Sequence, residues 1–292
     1  PKVHRTKLNK SIRCSSGENM VTRSDLYIPC EDISLAGSLF LTQYDQPSPT
    51  LIICHGMPAG NKNDNKYGID PQHAVELDYP TIAEWCALEG LNTIIFNFRG
   101  TGQSGGNFHP LGWAEDLEAI LDFLIKQEYV KKDSIAVFGS SMGAAIAIYV
   151  AARRKEIAGV VSFASPAIMN RRANPELAIE RFRDMGIIKE ANFPESIEQW
   201  ADESRVLNPV EWIAKISPRP ILLIHGDADE VVSPGSLEIL YREAGYPKDM
   251  KMLEKTLSGT EIILLSDEVY EHIISDNIKH QSIARYPKLA ER

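Results

Sequence analysis

Residues 134–147 read SIAVFGSSMGAAIA, and this stretch decides the fold. An apolar run typical of a buried strand passes through Gly-x-Ser-x-Gly at residues 139–143 into small residues typical of a helix. A serine on such a turn needs a strained backbone, and glycines on either side remove Cβ atoms that would clash. The pattern predicts Ser141 as a nucleophile, with Ser140 pointing elsewhere. The structural alternative is a glycine-rich turn whose serine merely caps the helix.

Apolar strands alternate with longer helical segments around this turn. The alternation begins near residue 50, continues to about residue 165, and resumes over residues 219–245. It predicts a parallel sheet covered by helices on both faces. Residues 25–43 instead alternate apolar and polar side chains around Glu31 and Asp32, which predicts an antiparallel hairpin.

Residues 166–216 interrupt the strand and helix alternation with several short helical patterns. Asn174-Pro175 and Asn208-Pro209 are both typical of a helix start, because asparagine caps a helix and proline suits its first turn. This region is predicted to be a helical cap inserted into the sheet.

Backbone donors for a developing negative charge are predicted beside the serine. His55-Gly56-Met57-Pro58 lies at the tip of an earlier strand. The N–H of Met57 and the N–H of Met142, at the helix start, are the candidate donors of an oxyanion hole. His55 itself is interpreted as structural, because the base in this arrangement comes late in the chain.

An acid is predicted at the tip of a later strand. The segment HGDADEVV at residues 225–232 offers Asp227 and Asp229. An acid there can fix a histidine tautomer and stabilise the imidazolium formed when the serine loses its proton. Asp229 is the preferred candidate, and Asp227 is interpreted as a hydrogen-bonding residue of the loop. An Asx turn without a catalytic role is the structural alternative.

These motifs together resemble the α/β-hydrolase superfamily, especially small esterases and related serine hydrolases. The resemblance rests on a strand followed by His-Gly, on FRGTGQSGG at residues 98–106, on GSSMGA and on HGDADEVVSP, and it covers roughly residues 22–249. It implies a mostly parallel sheet of about eight strands with helices on both faces and a helical cap. It also implies Ser141 as nucleophile, Asp229 as triad acid and the same two oxyanion donors.

The base histidine departs from this pattern. In the resembled family it follows the last strand, but the corresponding stretch, KMLEKTLSGTEI at residues 251–262, contains no histidine. The next histidines are His272 and His280, 43 and 51 residues after Asp229. His272 is the preferred candidate, because the apolar run at residues 261–266 is predicted to supply the last strand. His280 and the absence of a working base are the alternatives.

The C-terminal segment carries a second resemblance. Residues 250–292, and SDEVYEH at residues 266–272 above all, are similar to a fragment of the fold-type I aminotransferases that use pyridoxal phosphate. That family's aspartate and tyrosine contacts to the cofactor would fall on Asp267 and Tyr270. Its Schiff-base lysine motif and phosphate-binding elements are missing, so no cofactor is predicted. The chain is interpreted as a hybrid of a hydrolase domain over residues 1–249 and this segment, with a divergent hydrolase tail as the alternative.

The composition of the chain limits which partners it is expected to bind. Its 292 residues are 43% apolar and 24% charged, as in a soluble globular protein. A net charge of −9 opposes binding to nucleic acid, and no apolar run is long enough to span a membrane. The four cysteines show no CxxC spacing and no signal peptide is recognisable, which predicts a cytoplasmic protein. No metal is predicted.

The motifs predict a serine hydrolase that cleaves small-molecule carboxylic esters through an acyl-enzyme on Ser141. Two alternatives stay open: a hydrolase-fold protein that lacks a functional base and does not turn over substrate, and a peptidase or amidase on the same framework.

Overall fold

A computed structural model describes five ranges of the chain: residues 11–12, 21–42, 46–58, 79–169 and 174–254. The strands in these ranges are β1 (Ser11–Ile12), β2 (Val21–Cys30), β3 (Ile33–Leu41), β4 (Ser48–Cys54), β5 (Asn92–Phe96), β6 (Val130–Ser140), β7 (Ile157–Phe163), β8 (Ile221–Gly226) and β9 (Lys248–Leu253). The helices are α1 (Tyr79–Leu88), α2 (Pro110–Leu124), α3 (Met142–Arg153), α4 (Pro175–Asp184), α5 (Ile197–Val206), α6 (Pro209–Trp212) and α7 (Gly235–Glu243), and a 3₁₀ turn at Ile213–Ile216 follows α6. Within these ranges, no helix has the length and apolar character needed to cross a bilayer.

The strands form one sheet in the order β1-β2-β3-β5-β4-β6-β7-β8-β9. β2 and β3 make the predicted hairpin, in which Cys30 lies opposite Ile33 and Glu31 and Asp32 form the turn. From β5 to β9 every pair of neighbours is parallel. The predicted mostly parallel sheet of about eight strands is therefore confirmed, with the two-residue β1 as a ninth strand.

Helices cover both faces of the sheet, as predicted. On one face, α2 and α3 pack against β6 residues such as Val137, in a core that includes Ile146 of α3. On the other face, Phe138 lies in a second core with Ala83 of α1. Residues 142–151 of α3 are all buried, because this helix lies under both the sheet and the segments that follow β7.

The region between β7 and β8 is helical, as the sequence of residues 166–216 predicts, and we call it the helical insertion. Its first helix begins and ends where the pattern indicates. The Asn174 side chain accepts the N–H of Leu177 at 2.9 Å, and Pro175 occupies the first turn of α4. Gly186 follows the helix with a φ of 74°, a conformation that glycine adopts without strain.

At the second predicted helix start, Asn208-Pro209, the asparagine does not cap the helix. Asn208 precedes α6, but its Oδ1 accepts the N–H of Met169 at 2.6 Å and its amide donates to Glu211 at 2.9 Å. Its side chain therefore ties the insertion to the segment after β7 and does not cap the helix.

Main-chain groups attach the helical insertion to the segment before α2. Asn107 Oδ1 accepts the N–H groups of Lys189 at 2.7 Å and Glu190 at 3.0 Å. The N–H of Phe108 donates to the carbonyl oxygen of Ile187 at 2.8 Å. These bonds hold the insertion against the body of the fold.

The last strand in the described residues, β9, is one that the sequence did not predict. β9 occupies the position beside β8, with Gly226 opposite Leu253, whereas the run predicted for this position, residues 261–266, lies outside the described ranges. Among the described strands, β9 has a neighbour on one side only, and such a position tolerates the charged sequence KDMKML, which shows no strand alternation. It also crosses the predicted boundary between residues 249 and 250.

Candidate active site

Ser141 lies at the sharp turn between β6 and α3. Its φ of 51° and ψ of −119° place it in the left-handed region, where a residue with a Cβ atom is strained. Its N–H donates to the carbonyl oxygen of Phe163 at 2.8 Å, which fixes the turn to β7. The serine side chain makes no capping hydrogen bond to α3, so the capping alternative is wrong. The neighbouring Ser140 is buried, whereas Ser141 is partly exposed.

The two glycines of the motif allow the helix to approach the sheet. A Cβ atom at Gly139 would lie 2.5 Å from the carbonyl oxygen of Gly143 and 2.6 Å from Cα of Ala144. At Gly143 it would collide with the carbonyl oxygen of His55 and lie 2.6 Å from that of Cys54. All these neighbours are backbone atoms, so neither glycine can be replaced without moving β4, β6 or α3.

Gly143→Ala is therefore expected to destabilise the fold, although alanine normally favours a helix over glycine by about 1 kcal/mol. The expected loss of unfolding free energy is about 1–3 kcal/mol, as for other overpacked sites. The matched control is Gly235→Ala in α7, where a Cβ atom would meet only the Ser233 hydroxyl at 3.5 Å. Urea denaturation should show no loss for the control, and equal stability of the two variants would contradict the close packing of the turn.

The loop after β4 lies directly against this turn. A Cβ atom at Gly56 would be 3.1 Å from both the carbonyl oxygen of Ser140 and Cβ of Ser141. The next residue is Met57, and Met142 begins α3, where the first N–H groups have no partner inside the helix. The two predicted oxyanion donors thus belong to segments in direct contact.

Hydrogen bonds at both ring nitrogens hold His55. Nδ1 lies 2.6 Å from the carbonyl oxygen of Gly56, and Nε2 accepts the N–H of Phe98 at 3.2 Å. These partners assign a neutral ring with its proton on Nδ1. Burial lowers the pKa of His55 and favours this neutral form. Since the Gly56 carbonyl and the Met57 N–H share one planar peptide, His55 also fixes the direction of that N–H.

Asp229 lies in the loop after β8 and is 6% exposed. Its Oδ1 accepts the N–H groups of Val231 at 2.8 Å and Val232 at 2.9 Å. His225 Nε2 is 3.3 Å from Oδ2 but hydrogen-bonds the carbonyl oxygen of Val232 at 3.0 Å. Oδ2 is buried, and no described residue makes a well-formed hydrogen bond to it. The carboxylate is therefore fixed through Oδ1, while Oδ2 is enclosed beside the His225 ring.

The two candidate acids differ in environment. Burial would raise the pKa of Asp229, but the His225 imidazole and the N–H groups of Val232 and Val231 outweigh it and lower the pKa below its usual range. Asp227 is exposed, and its N–H donates to the carbonyl oxygen of Leu253. The buried, charged group of this loop is thus Asp229.

Ser141 and Asp229 lie at the same edge of the sheet. β6, β7 and β8 are parallel neighbours, so their carboxyl ends meet there. At about 4.8 Å between adjacent strands, β6 and β8 are roughly 10 Å apart. Both residues therefore follow the carboxyl ends of strands that are separated only by β7.

Comparison with protein families agrees with this geometry. The family model described as alpha/beta hydrolase fold matches residues 49–210, more than half of the chain. The chain belongs to the alpha/beta hydrolase fold family. The matched residues include Ser141 and the β4 loop, whereas Asp229 lies beyond them.

Curated relatives of this α/β hydrolase share part of their length with it. The uncharacterized protein YfhR of Escherichia coli K12 is 27% identical over 68% of this chain and 63% of its own length. Protein bem46 of Schizosaccharomyces pombe is 24% identical over 80% of this chain and 72% of its own. The uncharacterized protein YqkD of Bacillus subtilis is 29% identical over 72% of this chain and 65% of its own length. The chain thus spans less than two thirds of the YfhR and YqkD proteins.

Solved structures of esterases share the fold. An esterase from Pyrococcus furiosus superposes with a TM-score of 0.60 and 24% identity, covering 88% of this chain and 93% of its own. Est1E from Butyrivibrio proteoclasticus, bound to ferulic acid, gives a TM-score of 0.63 at 21% identity. The superposition covers 86% of this chain and 98% of Est1E. At these identities the likeness shows the fold of the α/β hydrolase alone.

Arg99 forms a buried ion pair that fixes the loop of residues 98–106. Its Nε donates to Asp116 Oδ1 at 2.9 Å, and its backbone N–H donates to Asp116 Oδ2 at 2.7 Å. Asp116 is fully buried, and Glu115 lies 3.1 Å from the guanidinium. Sequence reasoning did not single out this pair, although Arg99 lies in the quoted loop motif.

His109 connects Arg99 to the helical insertion. Its Nε2 accepts from Arg99 Nη1 at 3.0 Å, and its Nδ1 lies 3.0 Å from Glu203 in α5. The same Glu203 oxygen accepts the N–H of Leu111 at 2.9 Å. The insertion is thus joined to the loop by side chains as well as by its main chain.

Arg99→Met is expected to lower the free energy of unfolding by about 3–5 kcal/mol, because the Asp116 carboxylate stays buried without its partner. The control is Arg23→Met, which removes an exposed ion pair with Asp25 and is expected to cost about 1 kcal/mol or less. Urea denaturation of both variants tests this difference. A loss for Arg99→Met no larger than for the control would contradict the structural role of the pair.

The described histidines are all engaged in hydrogen bonds away from the nucleophile. His55 and His225 are held as described above, and His109 lies between Arg99 and α5. The predicted base His272 and its alternative His280 lie outside the described residues and stay predictions. Asp267 and Tyr270, which carry the aminotransferase resemblance, also lie outside. In the described ranges, no three His, Cys, Asp or Glu side chains are grouped as a metal site requires.

Proposed function

We propose that this chain is a serine hydrolase that cleaves carboxylic esters through an acyl-enzyme on Ser141. The observation that carries the proposal is the left-handed backbone of Ser141, held between β6 and α3 at the edge where β4 and β8 also end. A strained serine at such a turn is typical of a nucleophile. The shared fold with structurally characterised esterases supports this reading.

The proposed reaction has two halves. A histidine takes the proton from Ser141 Oγ, which attacks the ester carbonyl carbon, and the N–H groups of Met57 and Met142 stabilise the oxyanion. The bond to the alkoxy oxygen breaks, and the alcohol leaves with the proton from the imidazolium. Water, deprotonated by the same histidine, then attacks the acyl carbon; the bond to Ser141 Oγ breaks, the imidazolium returns its proton to Oγ, and the carboxylic acid leaves. Asp229 stabilises the imidazolium in both halves.

We propose His272 as the base. The chain leaves β9 at Leu253, opposite Gly226, and therefore on the edge of the sheet that carries Ser141 and Asp229. The following residues start beside the Asp229 loop, since the N–H of Asp227 donates to the Leu253 carbonyl oxygen. Oδ2 of Asp229, to which no described residue makes a well-formed hydrogen bond, is the proposed acceptor of the imidazole N–H.

The test combines covalent labelling with a pH profile. The wild-type chain is incubated with a fluorophosphonate probe, and the adduct is mapped by mass spectrometry, which should place it on Ser141. With a short-chain aryl ester, kcat/KM should rise through about pH 6–7 as the base loses its proton. Asp229 adds no inflection there because its lowered pKa keeps it charged. His272→Ala should abolish the rise, and His280→Ala, the matched control, should keep it.

A second candidate is a hydrolase-fold protein without turnover. The observation that favours it is that hydrogen bonds engage every histidine in the described ranges. If the C-terminal segment derives from an aminotransferase, as its sequence resemblance suggests, the triad lacks its base. An unlabelled Ser141 together with a flat pH profile would support this candidate. Cleavage of aminoacyl amides in preference to esters would instead support a peptidase.

A further inference from the structure

His225, near the end of β8, reaches from the sheet into the loop that carries Asp229. Its Nε2 lies 3.0 Å from the carbonyl oxygen of Val232 and 3.3 Å from Oδ2 of Asp229, and the ring is buried. We propose that His225 is a positioning residue that fixes the Asp229 carboxylate relative to the turn at Ser141. The inference rests on the proposed function of the site, in which Asp229 is the triad acid.

Asp229 and His225 hold the same loop residue, Val232, through two different groups. Oδ1 of Asp229 accepts the N–H of Val232 at 2.9 Å, whereas His225 binds its carbonyl oxygen. These groups belong to the two peptide units on either side of the Val232 Cα atom. The bonds of Asp229 Oδ1 stay within the loop, whereas the bond of His225 joins the loop to a strand of the sheet.

The attachment by His225 lies behind the acid in the loop. Before the acid, the main chain is already bonded to the strands, since the N–H of Asp227 donates to Leu253 at 3.0 Å and that of Asp229 to Gly226 at 3.4 Å. His225 adds a bond at Val232, three residues beyond Asp229. The loop is therefore held on both sides of the acid, which fixes where its carboxylate lies.

The backbone next to His225 is bonded to the nucleophile turn through one peptide unit of β7. The carbonyl oxygen of Phe163 in this unit accepts the N–H of Ser141 at 2.8 Å. The N–H of the same planar unit, from Ala164, donates to the carbonyl oxygen of Ile224 at 2.8 Å. Ile224 immediately precedes His225. The position of His225 is thus fixed relative to the serine, and its side chain transmits that position to the acid.

The neutral or charged ring of His225 carries a proton on Nε2. The carbonyl oxygen of Val232 can only accept a hydrogen bond, so Nε2 donates to it. This proton does not serve Oδ2 of Asp229, to which no described residue makes a well-formed hydrogen bond. The ring therefore favours the charged carboxylate from 3.3 Å away without taking Oδ2 as its acceptor.

The test compares His225→Leu, which removes the donor, with His225→Gln, whose amide N–H can reach the same carbonyl oxygen. A displacement of about 1 Å can cost about 10²-fold in rate, so His225→Leu is expected to lower kcat on a short-chain aryl ester by about 10–100-fold. KM should change by less than about 3-fold, because the imidazolium that Asp229 stabilises forms only during the reaction. His225→Gln should restore kcat to within about 3-fold of the wild type.

A double-variant cycle shows whether His225 acts through Asp229. Without a carboxylate at residue 229, the placement of that side chain matters little. His225→Leu in the Asp229→Asn background should therefore lower kcat by less than about 3-fold. An equal loss of kcat in both backgrounds would mean that His225 acts elsewhere, and this result would overturn the inference.

The matched control is Arg219→Met, just before the other end of β8. The Arg219 guanidinium also donates to carbonyl oxygens, those of Ala151 at 2.7 Å, Ile157 at 2.8 Å and Arg154 at 2.9 Å. Its loss is expected to lower the melting temperature and to leave kcat per titrated serine at the wild-type value. If His225→Leu behaves in the same way, the role of His225 is structural and the inference is wrong.

His225→Asn decides the matter if His225→Leu does not fold. It carries the same amide as His225→Gln on a side chain one methylene shorter, which cannot reach the Val232 carbonyl oxygen. The asparagine variant is expected to turn over at least about 10-fold more slowly than the glutamine variant. Equal kcat of these two amide variants would contradict the proposed role of the bond to Val232.

Failure of the proposed function and failure of this inference give different results. If the wild-type chain is neither labelled on Ser141 nor active, both are wrong. If the wild type is active and is slowed by Asp229→Asn, but the His225 variants keep wild-type kcat, only the positioning role of His225 is overturned.

Discussion

Ser141→Ala is expected to abolish labelling by a fluorophosphonate and to lower the turnover of an aryl ester by about 10⁵–10⁶-fold, as removal of a nucleophilic serine does in other hydrolases. The reason is that no bond to the acyl group can form. Stability should change little, because alanine keeps the Cβ atom and the serine side chain makes no capping bond. Initial rates and intact-protein mass spectrometry measure both effects.

The control for this variant is Ser134→Ala. Ser134 is a buried serine of β6, the strand that precedes Ser141. Within the described residues, its hydroxyl donates only to Asp133, at 3.1 Å. Its turnover and labelling should equal those of the wild type. If Ser141→Ala kept more than a tenth of wild-type turnover, a different group would be the nucleophile and the proposed acyl-enzyme would be wrong.

Asp229→Asn is expected to lower kcat by about 10³–10⁴-fold, because an amide can neither stabilise an imidazolium nor select the tautomer that accepts the serine proton. The fold should persist, since the asparagine carbonyl oxygen can accept the same two N–H groups, from Val231 and Val232. The carboxylate of the wild type is charged throughout the assay range because its pKa is lowered. The loss should therefore be nearly constant above about pH 5.

Asp227→Asn provides the comparison at a position two residues away. Asp227 is exposed and contributes its backbone N–H, which asparagine retains, so its turnover should stay within about 2-fold of the wild type. Steady-state kinetics and thermal melts of both variants separate an effect on chemistry from one on folding. A larger loss for Asp227→Asn than for Asp229→Asn would transfer the acid to Asp227.

The turn at Ser141 and the hairpin at residues 21–41 could be predicted because their signals are local. Two glycines beside a serine, between an apolar run and a run of alanines, specify strand, turn and helix within a dozen residues. Most of β2 has the alternation of buried and exposed side chains that one buried face imposes, whereas β3 is buried on both faces.

The contacts that support the site could not be predicted, because they join distant residues of ordinary types. Arg99 and Asp116 are 17 positions apart, and no sequence pattern marks them as partners. The sequence did not predict β9, because its charged side chains break the apolar alternation from which a strand is predicted.

The way in which the helical insertion is attached affects how far its sequence can change. Asn107 holds main-chain N–H groups of residues 189 and 190, and Phe108 pairs with the main chain of Ile187. These bonds use backbone atoms of residues 187, 189 and 190, so they do not depend on which side chains these residues carry. Mutations can therefore accumulate at residues 187–190 and change the surface there, while the main-chain bonds to Asn107 and Phe108 are retained.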